Sequence, residues 1–388
     1  MSETRIALIR DWLTVYAGAD RVMDAMLELL PGAPIYTLIY QPEHFTGTRV
    51  ARHPIFTSFI DRLPGGRRHH RLFLPLMPLA IEQFDLRGYD VVVSMSHAVA
   101  KGVLTRADQL HIAYILTPVR YGWDLYHQYL DELNLQRGVR SMAARLTLHY
   151  LRLWDRSAAS RPDVMVAVSR AVARRVRKTY RRDADVLYPP VDVHRFTASS
   201  ERNGFFLTVS RFVPYKRVDL IVEAFSRLGL PLVVIGDGPD RRRVQKAAGP
   251  TVQLLGAQPD EVVRDHMERC RAFVFAAEED FGVAVVEAQA AGAPVIAYDR
   301  GGVAETVLAG ETGVFFSEQT PESLMNAVNV FEATAHRFSA TRIRAHAERF
   351  GRERFQREFA ALLQRERARF DERGRDVLPI RPAALTGT

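Results

Sequence analysis

The sequence predicts an α/β protein made of two doubly wound, Rossmann-like domains that face each other across a cleft. Short, continuously apolar segments alternate with helical ones through both halves, as buried parallel strands and their crossover helices do. The 388 residues are too many for one ordinary core and suffice for two domains of roughly 180 to 200 residues. A mostly parallel sheet is therefore expected in each domain.

Residues 1–190 are expected to form the first domain. The apolar strands are placed at 6–9, 34–40, 91–94, 111–115 and 163–168. The helices are placed at 19–30, 140–156 and 170–180. Residues 191–204 follow a Tyr-Pro-Pro sequence and end in a polar run, so they predict a linker.

Residues 205–350 are expected to form the second domain, with a helix at 217–228. Its strands are placed at 205–209, 232–235, 252–254, 272–275 and 295–297. Residues 351–388 form the C-terminal helix and tail, and the Arg/Glu-rich segment 342–371 is predicted to be helical. Its apolar stripe predicts a packing surface, which we expect to lie against the first domain: Phe350, Phe355, Phe359 and Leu363.

The composition, 47% hydrophobic and 25% charged, is typical of a globular protein in water. The single cysteine, Cys270, cannot form an internal disulfide and is expected to be a small buried side chain in a reducing compartment. The N-terminus enters a strand without a long apolar core, which predicts no signal peptide. No apolar run reaches membrane-spanning length, so we expect a cytoplasmic protein.

The net charge of +8 is confined to the first half of the chain. Residues 1–200 carry 27 Lys/Arg against 19 Asp/Glu, while residues 201–388 carry 26 of each. The excess concentrates at 67–71 and 170–182. Such runs are either solvated helix faces or a surface for an anionic membrane, an acidic lipid-linked substrate or nucleic acid. No nucleic-acid-binding signature accompanies them, so the inner face of the plasma membrane is the preferred partner.

The most informative segment is 279–287, where two carboxylates bracket a glycine turn. Residues 272–277 read as a buried parallel strand, so Glu279 lies in the loop at its carboxyl end and Glu287 on the helix that follows. Ligands bind at this position in open α/β sheets, and helix N-termini suit anions. The alternative is that both are ordinary solvated carboxylates near a helix N-terminus.

Three other loops at predicted strand ends point to the same edge of the second sheet. Arg211 and Lys216 leave one loop, so both cations could meet one diphosphate. Glycine turns follow at 236–238 and 301–302. Because a Walker loop, a Gly-x-Gly-x-x-Gly before the first helix and a His/Cys cluster are all absent, the sequence predicts no P-loop, dinucleotide or metal site.

This combination resembles the signature of the family-four retaining glycosyltransferases, which have the GT-B fold. The likeness rests on Arg211 with Lys216, the pair at 279 and 287 around Asp280-Phe281-Gly282, and Gly301-Gly302 with Glu305. The sequence Tyr188-Pro189-Pro190-Val191-Asp192 is similar to that family too. Segments of the first half resemble bacterial mannosyltransferases that build O-antigen or exopolysaccharide on lipid carriers: 11–14, 18–22, 75–80, 96–102 and 117–121.

The resemblance implies transfer of a hexose, mannose from GDP-mannose, to a polyprenyl-diphosphate-linked glycan without a metal or other cofactor. Arg211 and Lys216 would hold the nucleotide diphosphate and neutralise it as the sugar leaves, and Glu279 would contact the sugar hydroxyls. The acceptor or sugar side would include His97 and Asp11. The donor-binding residues implied by the family pattern are Gly18, Asp280, Phe281, Gly282, Val283 and Glu287.

Three positions depart from the family pattern. Leu116 stands where a histidine usually touches the donor sugar, residues 17–20 lack one glycine and the glutamate of the first loop, and Arg10 replaces a frequent histidine. Either His97 or Asp11 compensates for Leu116, or the chemistry differs. Two alternatives therefore stay open: a non-catalytic member that binds a nucleotide sugar or a partner enzyme, and another GT-B enzyme such as a sugar-nucleotide epimerase.

Overall fold

The computed structural model describes residues 4–132, 135–199 and 201–375 and folds them into two α/β domains. All named strands pair in parallel, in two separate sheets. The prediction of two Rossmann-like domains is therefore confirmed. Among the described residues, no helix combines the length and the apolar character needed to cross a membrane.

The first domain is built on a seven-stranded sheet in the order β3-β2-β1-β4-β5-β6-β7. Its strands are β1 Ile6–Arg10, β2 Ile35–Thr37, β3 Ile55–Thr57, β4 Val91–Ser96, β5 Leu110–Ile115, β6 Val164–Ala167 and β7 Asp185–Val186. Its helices are α1 Gly18–Leu29, α2 Met77–Glu82, α3 Tyr126–Glu132, α4 Val139–Ala158 and α5 Arg170–Tyr180. A 3₁₀ segment at His70–Leu76 precedes α2.

The second domain is built on a six-stranded sheet in the order β10-β9-β8-β11-β12-β13. Its strands are β8 Phe206–Val209, β9 Leu232–Ile235, β10 Val252–Gly256, β11 Phe273–Phe275, β12 Val295–Tyr298 and β13 Gly313–Phe316. Its helices are α6 Val218–Leu228, α7 Arg241–Ala247, α8 Asp260–Arg269, α9 Val283–Ala290, α10 Val303–Thr306 and α11 Pro321–Thr334. Two C-terminal helices follow: α12 Ala340–Glu348 and α13 Arg352–Arg375.

The strand order reverses once in each sheet, between β1 and β4 in the first and between β8 and β11 in the second. At such a reversal the following connections leave to opposite faces of the sheet and open a crevice at the carboxyl ends of the strands. Residues just after β1, β4, β8 and β11 are thus the candidates for a binding site.

The predicted helix 342–371 is wrong as a single element, because the chain breaks between α12 and α13. Phe350 turns into the core of the second domain, and Gly351 forms a parallel bridge with Val191. The three short strands β3, β7 and β13 were not predicted. β3 and β7 are only partly buried and lack the continuous apolar run that marks most other strands, whereas β13 is a short apolar run whose first and last residues are buried.

Helix α13 returns to the first domain and packs beside α1. Phe355 and Phe359 are fully buried in the first domain's core, and Arg352 Nη2 lies 2.7 Å from Glu28 Oε2. The segment assigned to a linker begins as packed structure, since Val191 and Phe196 are buried in the core of the second domain. The chain passes between the domains twice, at the segment that begins with Val191 and again before α13, and both passages are packed against domain cores.

Candidate functional site in the interdomain cleft

A cavity of about 770 Å³ lies between the two strand-order reversals. On the first domain's side it is walled by Trp12, which follows β1, and by His97, which follows β4. On the second domain's side it is walled by Arg211, which follows β8, and by Asp280, beyond β11. The topology alone therefore brings residues from four strand ends to one space. Its remaining lining residues are Arg10, Thr14, Val15, Ala17, Ala19, Asp20, Arg68, His69, His70, Arg71, Leu72, Leu116 and Thr117.

A second cavity of about 220 Å³ lies where the N-termini of α1 and α9 approach each other. Gly18 is the first residue of α1 and Val283 the first of α9, and both line it together with Glu287. A β-carbon built on Gly18 would stand 3.7 Å from Val283 Cγ2, an ordinary contact distance. Two helix N-termini from different domains thus converge on one space, which favours an anionic ligand there.

Lys216 and Glu279 form the central ion pair of the site. Lys216 ends the 3₁₀ turn after β8, and its Nζ lies 2.5 Å from Glu279 Oε1 in the loop after β11. The ammonium also lies over the rings of Tyr215 and Phe275, at 5.4 and 5.5 Å from their centroids. Burial lowers the pKa of Lys216, but the charge and hydrogen bond of Glu279 together with the charges of Tyr215 and Asp280 outweigh it, and the net shift is upward. Lys216 is therefore held as a cation beside the cleft.

Arg211 leaves the same loop and lines the larger cavity as an exposed side chain. Within the described part of the chain, no hydrogen bond or ion pair engages its guanidinium. The loop thus presents one cation that is paired and one that is open to an anionic ligand.

The glycines of the acidic loop are required by close backbone packing. Gly282 has φ +88°, and a β-carbon there would come within 2.8 Å of Val303 Cγ2. A β-carbon on Gly301 would lie 2.2 Å from the carbonyl oxygen of Glu279, to which Gly302 N–H donates a hydrogen bond of 2.7 Å. The loop after β12 therefore fixes the backbone that carries Glu279.

The residues after the glutamate differ in what they present to the cleft. Phe281 is buried, and its ring packs against Tyr188 and Phe350 at centroid distances of 5.9 and 5.6 Å. Its side chain belongs to the core, so only its backbone is available to a ligand. Asp280 lines the larger cavity and Val283 the smaller one.

Both acidic residues assigned to the donor are paired with arginines of the opposite domain. Arg21 Nη1 lies 2.8 Å from Glu287 Oε1. Arg175 bonds Asp280 and also lies 3.2 Å from Glu278, while Arg120 Nη1 lies 3.8 Å from Asp280. Burial raises the pKa of Asp280 and of Glu287 despite these cations. The carboxylates thus hold the two domains together across the cleft.

Glu305 makes a further contact between the domains. Its carboxylate oxygens accept the backbone N–H groups of Arg170 and Ala171 at 2.8 and 2.7 Å, at the start of α5, and the Tyr188 hydroxyl at 3.0 Å. A carboxylate at a helix N-terminus satisfies free N–H groups and interacts favourably with the helix dipole. Glu305 therefore joins α10 to the first domain.

The prediction that Asp11 lies on the sugar side of the cleft is wrong. Its carboxylate is fully buried and accepts the backbone N–H groups of residues 97–100, at distances between 2.6 and 3.2 Å. Its Oδ2 also lies 2.8 Å from His97 Nδ1. Asp11 therefore holds the loop after β4 and orients His97, whose side chain, 25% exposed, lines the larger cavity.

The sequence predicts no site role for Arg21, Arg120 or Arg175. The first two lie in segments that resemble mannosyltransferases, 18–22 and 117–121, and the third lies in the basic run 170–182. Arg175 stood in the basic run of α5, which was interpreted as a membrane surface. Only the fold shows that this one arginine faces Asp280, from which it is separated by 105 residues. Leu116 lines the larger cavity, so an apolar side chain occupies that part of its wall.

Arg175→Ala is expected to loosen the closed cleft in the absence of ligand. The change removes one guanidinium that contacts Asp124 of its own domain and Glu278 and Asp280 of the other, a loss of about 2 kcal/mol or more. Small-angle scattering should report a larger radius of gyration. Arg174→Ala, at an exposed neighbouring position, is the matched control and should leave the radius unchanged. An unchanged radius of gyration in Arg175→Ala would mean that Arg175 does not hold the cleft closed.

In the described ranges there is no group of three or more His, Cys, Asp or Glu side chains placed to hold a metal ion. Cys270 is buried as expected, and burial raises the pKa of its thiol to about 12.

Residues 192–349 match the family model for glycosyl transferases group 1. An uncharacterized glycosyltransferase of Methanocaldococcus jannaschii is 27% identical over 182 residues, 46% of this chain and 52% of that protein. A GDP-mannose-dependent alpha-mannosyltransferase of Mycobacterium tuberculosis is 31% identical over 159 residues, 36% of this chain and 41% of that protein. The matches thus span about half the length of these curated relatives.

Both domains together resemble solved structures in fold. Anabaena HepE in complex with UDP superposes with a TM-score of 0.68 at 16% identity, covering 93% of this chain and 100% of that one. At this identity the likeness establishes the two-domain architecture alone.

Proposed function

We propose that this protein is a retaining hexosyltransferase that uses a nucleotide sugar, since residues 192–349 match the family model for glycosyl transferases group 1 and the two domains have the GT-B architecture. The observation that carries the proposal is the loop after β8. It places Arg211, open to an anionic ligand, next to the Lys216–Glu279 pair at the strand-order reversal of the second sheet.

The departing nucleoside diphosphate accumulates negative charge, and Arg211 and Lys216 are placed to stabilise it. Cations fixed in position before the reaction need little reorganisation as the charge develops. The converging N-termini of α1 and α9, at Gly18 and Val283, add favourable dipoles for the same phosphates. Glu279 would accept hydrogen bonds from the sugar hydroxyls, and the acceptor hydroxyl would lose its proton to the leaving phosphate.

Donor binding requires an exchange of partners at Glu287. This carboxylate now pairs with Arg21, and the proposed ribose contact would replace or share that pair. The smaller cavity beside it has room for only part of a nucleotide, about 220 Å³. The described conformation therefore corresponds to a closed cleft that must open for the donor to enter.

GDP-mannose is the proposed donor and mannose the transferred sugar, because one relative is named a GDP-mannose-dependent alpha-mannosyltransferase. The proposed acceptor is a polyprenyl-diphosphate-linked glycan at the cytoplasmic face of the membrane. Arg68, Arg71 and the histidines between them line the larger cavity on the acceptor side, where they would meet acceptor phosphates.

One observation favours a second candidate function, a member that binds a nucleotide sugar or a partner enzyme without turnover. Leu116 forms part of the cavity wall and cannot hydrogen-bond a sugar. His97, held by Asp11, is the polar side chain that can replace it in the catalytic proposal.

Thermal unfolding with GDP-, UDP-, ADP- and TDP-sugars tests the donor site without added metal. We expect one base to raise the melting temperature, by an amount set by ligand concentration relative to Kd, and Lys216→Ala to abolish the shift. A shift without transfer to any lipid-linked acceptor would support the non-catalytic candidate. The absence of a shift with every nucleotide would refute the catalytic proposal and favour the non-catalytic candidate as a protein that binds a partner enzyme.

A further inference from the structure

Helix α4 of the first domain exposes a continuous apolar face. The exposed side chains are spaced 3, 4, 4 and 3 residues apart, which places them on one side of the helix. The opposite side is buried through Leu148, Leu151 and Asp155. The exposed fractions are large for such residues: Val139 86%, Met142 65%, Leu146 64%, Tyr150 43% and Leu153 62%.

Cations flank this face and no exposed carboxylate interrupts it. Arg140, Arg145, His149 and Arg156 are all exposed on the same helix. The only acidic residue of α4, Asp155, is buried and bonds the ammonium of Lys101. The outer surface of α4 is therefore apolar along its centre and positive at its edges.

A second set of exposed apolar side chains lies on the segment that packs against the buried side of α4. Leu74 packs into the cluster that contains Leu148 and Leu151, which places the 3₁₀ segment against the helix. Its neighbours Leu72 and Leu76 are 78% and 40% exposed, and Leu79 of α2 is 49% exposed. Leu72 also lines the larger cavity. This second set, and not the α4 face, borders the candidate acceptor site.

We propose that this α4 face docks on the surface of an anionic lipid bilayer. The apolar side chains would insert at the level of the headgroups while the arginines contact lipid phosphates. The inference deepens the proposed function and depends on it in one respect, since a lipid-linked acceptor gives the protein a reason to bind the bilayer.

Charge complementarity favours a bilayer over a second copy of the chain. Two copies paired through this face would repeat one patch on both sides of the interface. The arginines of each α4 would then lie near those of the other, with no exposed carboxylate on either helix to neutralise them. Anionic headgroups supply the missing negative charge.

Co-sedimentation of the full chain with vesicles of phosphatidylcholine and phosphatidylglycerol (about 2:1) tests the proposal. Leu146→Glu should lower the partition coefficient at least tenfold, roughly the loss of one inserted leucine. Arg140→Gln should lower it about fivefold on these vesicles and not on pure phosphatidylcholine. Val330→Glu, which alters a residue 52% exposed on α11, is the matched control and should bind as wild type.

The outcomes of this experiment distinguish the proposed bilayer-binding surface from the donor site. A nucleotide-induced thermal shift retained in Leu146→Glu, with vesicle binding lost, supports the surface. Wild-type binding in Leu146→Glu, or no vesicle binding by the wild type, overturns it while the donor site stands. A wild-type dimer in solution that Leu146→Glu dissociates, without vesicle binding, assigns the face to a second copy and also overturns it. If no nucleotide raises the melting temperature of the wild type, the proposed function is refuted instead.

Discussion

Lys216→Ala is expected to lower kcat/KM for sugar transfer by about 10²- to 10³-fold, the usual cost of removing one fixed group that stabilises developing charge. In the proposed reaction the ammonium opposes the negative charge that grows on the diphosphate. Glu279 holds it at 2.5 Å, so it is in place before the donor arrives. Initial-rate kinetics with the donor identified by thermal unfolding measure the effect.

Lys216→Ala also removes the counter-ion of Glu279. Glu279 Oε1 is buried and lies 2.5 Å from the Lys216 ammonium, so removing this counter-ion leaves an uncompensated buried charge that destabilises the site by itself. The double variant Lys216→Ala with Glu279→Gln removes the uncompensated charge. If the ammonium acts on the diphosphate, the double variant stays inactive.

Two further comparisons sharpen the result. Lys246→Ala changes an exposed lysine of the same domain and should retain wild-type kinetics. Recovery of activity in the double variant would show that Lys216 acts only by neutralising Glu279. Full activity in Lys216→Ala alone would remove the basis of the proposed reaction.

The parts of the molecule that follow from local pattern could be predicted from the sequence. β1, β8 and β11 are buried on both faces and their sequences are mostly apolar, so the loops that follow them could be located to within a residue or two. Because Arg211 and Glu279 lie in such loops, their meeting at one strand-order reversal follows from topology.

The parts that depend on contacts between distant segments could not be predicted. Asp11 is expected on the sugar side as a polar residue that could compensate for Leu116, yet its partners are backbone N–H groups 86 to 89 residues away. Arg175 is one of many arginines in α5, and no local pattern distinguishes it from exposed Arg174. Which acid is structural and which arginine faces the cleft is fixed only when both sheets are in place.

The break between α12 and α13 has a similar cause. The sequence of 342–371 favours helix throughout, and an isolated segment could continue without interruption. Phe350 nevertheless packs between Tyr188 and Phe281 in the second domain, while Phe355 is buried in the first. A straight helix cannot place both rings in cores of different domains, so the chain turns at Gly351 and tertiary packing overrides local preference.

Asp11→Ala is expected to destabilise the first domain by about 3–5 kcal/mol at neutral pH, because a buried, fully hydrogen-bonded charge is removed and four backbone N–H groups lose their acceptor. All three tryptophans, Trp12, Trp123 and Trp154, lie in the first domain, so urea unfolding followed by their fluorescence reports on that domain. Asp108→Ala, at a side chain 70% exposed, is the control and should leave the free energy of unfolding close to that of the wild type.

The pH dependence gives an independent check on the role of Asp11. Burial raises the pKa of its carboxyl, but His97, Arg10 and the backbone N–H groups together hold it well below its ordinary value of 3.8. A depressed folded-state pKa stabilises the fold above the unfolded-state pKa, and this contribution is lost as the pH falls through the folded value. The stability difference between wild type and Asp11→Asn should thus be constant near neutrality and shrink below about pH 4. A difference that does not change down to pH 3 would mean that the ionised carboxylate is not what holds the loop carrying His97, and that the loop depends on side-chain shape alone.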